Sequence, residues 1–380
     1  MTASRARPVP RPLAALHRAA PALGLFAAAR LTGMLVMALW AWHTGRSPRA
    51  LLAMSWDSDW YLGIAAYGYG TTLYWPDGTV QSDLAFFPLY PALVRAVTTV
   101  LPLEGGTAGL LVSWAAAGAA AWGIFLLGER LYGRGVATTL VLLWGLLPHS
   151  IVLSMAYTEP VLTAFAAWSL YAVLTRRWLW AGALAALAGA ARPNGIAVAA
   201  AVVVTAACAL ARDRGDRRAW VGAAVAPAGW VGYLLWVGVR KGDPLGGYFA
   251  VQAGWTSRFD FGVGTFGFVR TVVTRPMDLG FTVALALTAV GVVLFALLVL
   301  ERPPLPLLVY TAVLVVIAVG GSGFFESKPR FLLPAFPLLL PLACALRRAR
   351  PRAAAVVVAA LAGLSFGYGT YLLALAPMAL

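Results

Sequence analysis

An all-α, polytopic membrane protein is the fold class this sequence predicts, and three observations predict it. Charged residues make up 11% of the 380 and hydrophobic ones 61%, whereas a soluble domain carries about 25% charged residues. Apolar runs of roughly 17 to 24 residues recur along the whole length, each long enough to cross a bilayer as a helix. The arginines gather between these runs rather than inside them.

Taken in order, spans are expected near 21–42, 107–127, 136–153, 157–174, 178–191, 194–211, 219–239, 279–300, 304–321, 331–346 and 353–376. That makes about eleven crossings in a single membrane domain over 21–376. The first run follows Arg5, Arg7, Arg11 and Arg18. It is too long for a signal peptide and lacks a small-residue cleavage pattern, so it reads as a retained span behind a basic cytoplasmic N-terminus, residues 1–20. Segment 84–102, LAFFPLYPALVRAVTTVLP, is apolar but carries three prolines and Arg95. Counting it as a span would invert everything after it.

The positive-inside rule decides the matter. With the N-terminus inside and 84–102 lying along the membrane surface, more than half of the 29 basic residues fall on the inner side. Arg130, Arg134, Arg176, Arg177, Arg212, Arg214, Arg217, Arg218, Arg302, Arg347, Arg348, Arg350 and Arg352 join the N-terminal four there. They meet only Glu129, Asp213, Asp216 and Glu301. Two long loops then lie outside, 43–106 and 240–278, and a short tail, 377–380, ends the chain. The expected location is the cell membrane, multi-pass, with the working face extracytoplasmic.

The net charge of +15 does not indicate a nucleic-acid partner, because the basic residues are spread over inter-helix loops and only Lys241 and Lys328 are lysines. Cys208 and Cys344 lie within apolar runs and read as buried free thiols. His17, His43 and His149 are scattered, so no metal ligand set is expected. No phosphate-binding GxxxxGK[ST] loop and no dinucleotide fingerprint occurs. Arg30, inside the first span, reads as internally paired or snorkelling, and His149 as structural.

With this topology the unusual polar stretches all face outward. SWDSDWYLGIAAYGY (55–69) opens the first loop with Asp57 and Asp59 among Trp56, Trp60, Tyr61, Tyr67 and Tyr69. Phe87 and Tyr90 lie in the surface segment. Glu159 sits in the turn YTEP, Arg192 and Asn194 in RPNG, and Lys328 and Arg330 in ESKPRF. A carboxylate can take a proton from a hydroxyl, and arginine or lysine can hold a phosphate and the charge that grows on it. Aromatic faces suit a sugar ring and also the bilayer interface. Each feature has a plainer reading too: Asp57 or Asp59 as a cap on the helix starting near Trp60, Glu159 as an ion-pair partner, RPNG as a turn, Lys328 and Arg330 as an interfacial anchor. An enzyme on this face has no access to cytosolic nucleotide sugars, so a lipid-phosphate sugar entering from the membrane is the natural donor.

WDSDWYLGIAAYGY, AFFPLYP, SMAYTEP, RPNG and KPRFLLPAFPL, in this order from Trp56 to Pro337, resemble the PIG-V-type mannosyltransferases, the GPI mannosyltransferase 2-like family. The resemblance implies a GT-C glycosyltransferase with many spans, a large first extracytoplasmic loop bearing the catalytic aspartate, and a polyprenyl-phosphate sugar as donor. It gives Asp57 the role of base, and Glu159, Arg192 and Asn194 match motif positions; Trp56, Asp59, Trp60, Tyr61, Phe87, Tyr90, Glu159, Arg192, Asn194, Lys328 and Arg330 are the candidate substrate contacts by their chemistry. It implies no cofactor beyond the lipid-linked sugar itself. The acceptor would be a glycolipid or glycan, and a bacterial-type chain need not make GPI anchors. The rival from another class is a transporter or lipid-carrier flippase, which would call for internal repeats and mid-membrane polar residues.

Overall fold

The computed structural model describes residues 12–376; most of the basic N-terminal stretch and the tail 377–380 lie outside the described residues. The first helix, α1 (Pro12–His43), starts well before the expected span and includes Arg18. Two short helices follow, α2 (Pro48–Ala53) and α3 (Asp57–Tyr67). A hairpin of β1 (Thr72–Tyr74) and β2 (Val80–Ser82) comes next, its strands antiparallel with Leu73 opposite Gln81. Its Pro-Asp-Gly turn, with Gly78 at φ 82°, uses the one residue type that takes positive φ without strain.

Segment 84–102 forms α4 (Leu89–Val100), which buries Tyr90, Pro91 and Val94 and leaves Arg95 exposed. Twelve residues rise only about 18 Å, too short to cross. The core helices are α5 (Gly105–Tyr132), α6 (Arg134–Gly145), α7 (Glu159–Leu174), α8 (Trp178–Ala191) and α9 (Ile196–Leu210). Then come α10 (Arg217–Val225) and α11 (Ala228–Arg240), with Pro227 at their junction. The second long loop folds into α12 (Gly247–Gly254), β3 (Arg258–Phe259) and α13 (Val263–Thr274). The chain closes with α14 (Leu279–Leu300), α15 (Leu305–Gly320), β4 (Gly321–Ser322), α16 (Lys328–Leu332), α17 (Leu340–Arg348) and α18 (Pro351–Ala374).

Each expected span contains helix, but 136–153 leaves it at Gly145 and 331–346 is broken between α16 and α17, and fewer helices have full spanning length than the eleven expected. Among the described residues six are long and apolar enough to cross, and a seventh is reached if Phe325–Leu332 and Phe336–Arg348, bent by 77°, count as one. The shortfall has a physical cause. The α6 helix stops at Gly145, α7 and α8 have 16 and 14 residues, and polar turns replace their missing ends. Such irregular backbone is tolerated at depth only where protein satisfies it. Here Trp144 Nε1 donates to the Leu333 carbonyl and Tyr310 Oη to that of Pro334, inside the bend.

The main core is formed where α5 packs on α6 and α7, α7 on α8, α9 on α15, and α1 on α6 and α18. Small residues at the contacts let backbones approach closely: a Cβ on Gly182 or Gly222 would run into the facing helix backbone. Outward faces stay apolar, with Leu31, Leu35 and Leu39 of α1 and Val290, Val293 and Leu300 of α14 exposed. A surface of this kind belongs in lipid rather than water. The chain is a multi-pass membrane protein.

Arg30 is paired internally: it donates to the Gly145 carbonyl at 2.8 Å and to Ser150 and Ser154. Of the two thiols expected to be buried, Cys344 is, but Cys208 is exposed on the outer face of α9; an apolar run does not say which face of its helix a residue takes.

Candidate functional site

The α5 and α7 helices define two ends of the molecule. Ser113, near the start of α5, is bonded to the backbone of Tyr157, just before α7. Glu129, near the end of α5, pairs with Arg18, and Arg176 and Arg177 follow the end of α7. Sixteen residues of helix separate Ser113 from Glu129, about 24 Å at 1.5 Å each. The arginine-bearing turns therefore sit at the opposite end of these helices from the turn that carries Tyr157, Thr158 and Glu159.

At the Tyr157 end four charged side chains from four separate segments form one alternating chain. Arg192 Nη1 lies 2.5 Å from Glu159 Oε1, Arg330 Nε 3.3 Å from the same oxygen, and Arg330 Nη1 2.8 Å from Asp57 Oδ2. Exposure grades along this chain. Glu159 is 1% exposed, the arginines 6% and 7%, and Asp57 22%, so Asp57 is the member a solvent-borne or lipid-borne group can reach. Two positive and two negative charges balance, which is what makes burial at this depth affordable.

Local structure explains each placement. Asp57 is the first residue of α3, and Trp56 before it holds φ 51° and ψ −112°, a region that costs a bulky L-residue about 1–3 kcal/mol. The strain is held by contacts on either side. The Asp57 amide donates to Tyr157 Oη at 3.3 Å, Tyr157 Oη donates to the Ser55 carbonyl, and Ser58 Oγ donates to that of Ala156. Glu159 begins α7, where the positive end of the helix dipole favours a carboxylate; its Oε2 is buried without a hydrogen-bond donor among the described residues. Arg192 leaves α8 and also donates to Thr158 Oγ1 at 2.8 Å. Arg330 is carried inward by the 77° bend and lies over the Tyr157 and Phe331 rings at 5.3 and 5.5 Å.

Gly195 makes the RPNG turn possible, because a Cβ there would collide with the Ala188 carbonyl of α8. Gly195→Ala is therefore expected to cost about 1–3 kcal/mol, the usual cost of overpacking, and to loosen Arg192. A thermal melt of the purified chain in detergent checks this; an unchanged transition would show that the turn has room.

The other expected site residues divide. Tyr61 is buried, with its Oη 3.4 Å from Thr158 Oγ1 and its ring edge-on to Tyr90; burial pushes its phenol up to about 12. Trp60 stacks on Phe86 and meets Trp255 edge-on at 5.0 Å, so the aromatic wall joins both long loops. Tyr90 supports the site from behind, bonding Gly109 and Ser113. Phe87 is fully buried against Tyr233 and Tyr248, part of the loop core rather than of the charged chain. Asn194 is buried within its turn. Lys328 turns away: Nζ donates to Thr265 and to the Gly321 carbonyl, tying α13 to the strand before α16. Asp59 is exposed, and it is the third residue of α3 rather than its cap, because the helix starts at Asp57. Tyr157 and Thr158 are the contributors not singled out from the sequence; the signal was the YTEP turn itself, where a hydroxyl-bearing pair precedes a buried carboxylate.

The all-α, polytopic fold is one found among solved membrane proteins. Two solved structures share it. One is ArnT from Cupriavidus metallidurans, bound to undecaprenyl phosphate, at TM-score 0.53 and 18% identity over 86% of this chain and 60% of that one. The other is the oligosaccharyltransferase AglB from Archaeoglobus fulgidus, in complex with an inhibitory peptide and a dolichol-phosphate, at TM-score 0.51 and 13% identity over 92% of this chain and 55% of that one. The chain thus spans under two thirds of either neighbour. No family model and no curated protein sequence matches it.

Proposed function

We propose that the chain is an integral-membrane glycosyltransferase that moves one hexose from a polyprenyl phosphate to a hydroxyl of a glycolipid or glycan, with inversion at the anomeric carbon. The observation that carries this reading is the alternating chain Arg192–Glu159–Arg330–Asp57, which ends in its most accessible carboxylate. Asp57 takes the acceptor proton, the acceptor oxygen bonds to the anomeric carbon, and the bond from that carbon to the phosphate oxygen breaks. The lipid monophosphate leaves with the electron pair, held by Arg330.

The pairing also supplies an order of events. In the free protein Arg330 is engaged by both Asp57 and Glu159. An arriving phosphate competes for Arg330 and frees Asp57 only when a donor is in place. Trp60 and Trp255, which meet edge-on, supply an apolar corner for a sugar ring.

The donor class is supported by the lipid phosphates that the two structural neighbours hold. Mannose, and membership of the PIG-V-type family, rest on the order of the sequence motifs. The arginine-rich end belongs in the cytoplasm by the positive-inside rule, which puts the site on the extracytoplasmic face of the cell membrane. The test is hexose transfer by the purified full-length chain from a panel of polyprenyl-phosphate sugars to membrane glycolipid extracts. Mannosyl transfer is the expected result. Failure with every donor, together with movement of the carrier lipid across vesicles, would replace this reading with that of a flippase.

A further inference from the structure

The end of the molecule opposite the charged chain carries a cluster that the proposed reaction does not use. Arg176 and Arg177 join α7 to α8, and Arg212, Arg214, Arg217 and Arg218 lie between α9 and the start of α10, all six exposed. The α8 and α10 helices are in backbone contact: a Cβ on Gly222 would strike the Trp178 carbonyl, and one on Gly182 the Gly222 carbonyl. Arg217 and Arg218 precede Gly222 by five and four residues, about 6–8 Å of helix. Arg177 directly precedes Trp178. The two turns therefore form one basic patch.

The acids within the patch do not neutralise it. Asp216 accepts from the Arg218 and Ala219 amides and Asp213 from that of Gly215. None of the six arginines has an ion-pair partner among the described residues, whereas Arg18, at the same end, is paired with Glu129. Arg176 also holds φ 56°. Its amide bonds the Val173 carbonyl and the Arg177 amide that of Ala172, a helix close in which glycine usually takes the left-handed place. Beside these guanidiniums the first turns of α8 and α10 expose Leu179, Trp180, Trp220 and Val221.

We infer that this patch binds the headgroup of an anionic phospholipid from the leaflet at that end. Guanidiniums grip phosphate oxygens through paired N–H groups, exposed indoles rest at headgroup depth, and Leu179 and Val221 meet the acyl chains. A zwitterionic lipid brings its own ammonium and leaves the charge of the cluster uncompensated. A soluble anion satisfies the guanidiniums but leaves the indoles and their aliphatic neighbours uncovered.

The experiment measures binding of phosphatidylglycerol and of phosphatidylcholine to the purified full-length chain in detergent. Phosphatidylglycerol is expected to bind in preference, with an affinity that falls as salt is raised. Arg217→Gln and Arg218→Gln should each weaken it about fivefold, the usual effect of one basic residue at a lipid surface. Arg176→Gly should weaken it by a similar factor without lowering the thermal transition, because glycine takes the left-handed conformation freely; this separates lost charge from lost fold. Arg95→Gln, on α4 at the other end, should leave binding unchanged. Equal binding of the two lipids, wild-type affinity in the three patch variants, or an equal loss in Arg95→Gln would overturn the assignment. So would unchanged affinity in a Trp180→Ala, Trp220→Ala chain, which would mean that a soluble anion suffices. Each readout is independent of sugar transfer.

Discussion

Replacing Asp57 by asparagine is expected to lower hexose transfer by roughly 10²–10⁴-fold, the range that a positioned general base contributes. Asparagine keeps the shape and the start of α3, since neither the Asp57 amide bond to Tyr157 nor the backbone of Trp56 depends on the carboxylate. Arg330 loses one of its two acidic partners but retains Glu159. The variant should therefore still fold and still bind undecaprenyl phosphate. Transfer is read under saturating donor so that the loss appears in turnover. Asp59→Asn is the matched control. Its side chain is exposed and outside the charged chain, so near-wild-type transfer is expected. Turnover retained in Asp57→Asn, or lost in Asp59→Asn instead, would move the base to a different residue.

The contrast between these two aspartates shows what the sequence could and could not reveal. Period and composition carried the fold class, because an apolar run long enough to span leaves little alternative to a helix. The same pattern could not set the number of full-length helices. How deeply Glu159 is buried depends on its meeting two arginines from distant segments, a tertiary fact that no local window contains. The convergence of Asp57, Glu159, Arg192 and Arg330 followed from topology alone, since alternate turns of a helical bundle return to the same end. Direction within a turn did not follow. Lys328 and Arg330 are two residues apart in a single short helix, and helical geometry sends such neighbours to different sides. Arg330 meets the carboxylates and Lys328 meets Thr265. Phe87 and Phe86 divide in the same manner, the first into the loop core and the second onto Trp60.

Glu159→Gln should be the most destabilising single change in the site. Glutamine is nearly isosteric, so no cavity is made and the effect is electrostatic. The substitution leaves Arg192 and Arg330, both almost fully buried, with Asp57 as the one remaining acid, and Asp57 reaches only Arg330. An uncompensated buried charge costs about 3–5 kcal/mol when its partner is removed. Arg192 would keep Thr158 as a neutral acceptor and its approach to the Phe331 ring, which offsets a small part of that. The thermal transition of the purified chain should fall accordingly. Adding Arg192→Gln to Glu159→Gln should recover much of the loss, because removing both members of a pair spares the protein an orphaned charge. The same double variant should leave Asp57 and Arg330 paired, and so should not match the transfer loss of Asp57→Asn. A Glu159→Gln chain as stable as wild type would mean that water reaches Arg192 and that the four charges are not a sealed unit. The competition between phosphate and Asp57 for Arg330 would then lose its physical basis, since a hydrated guanidinium has donors to spare for both.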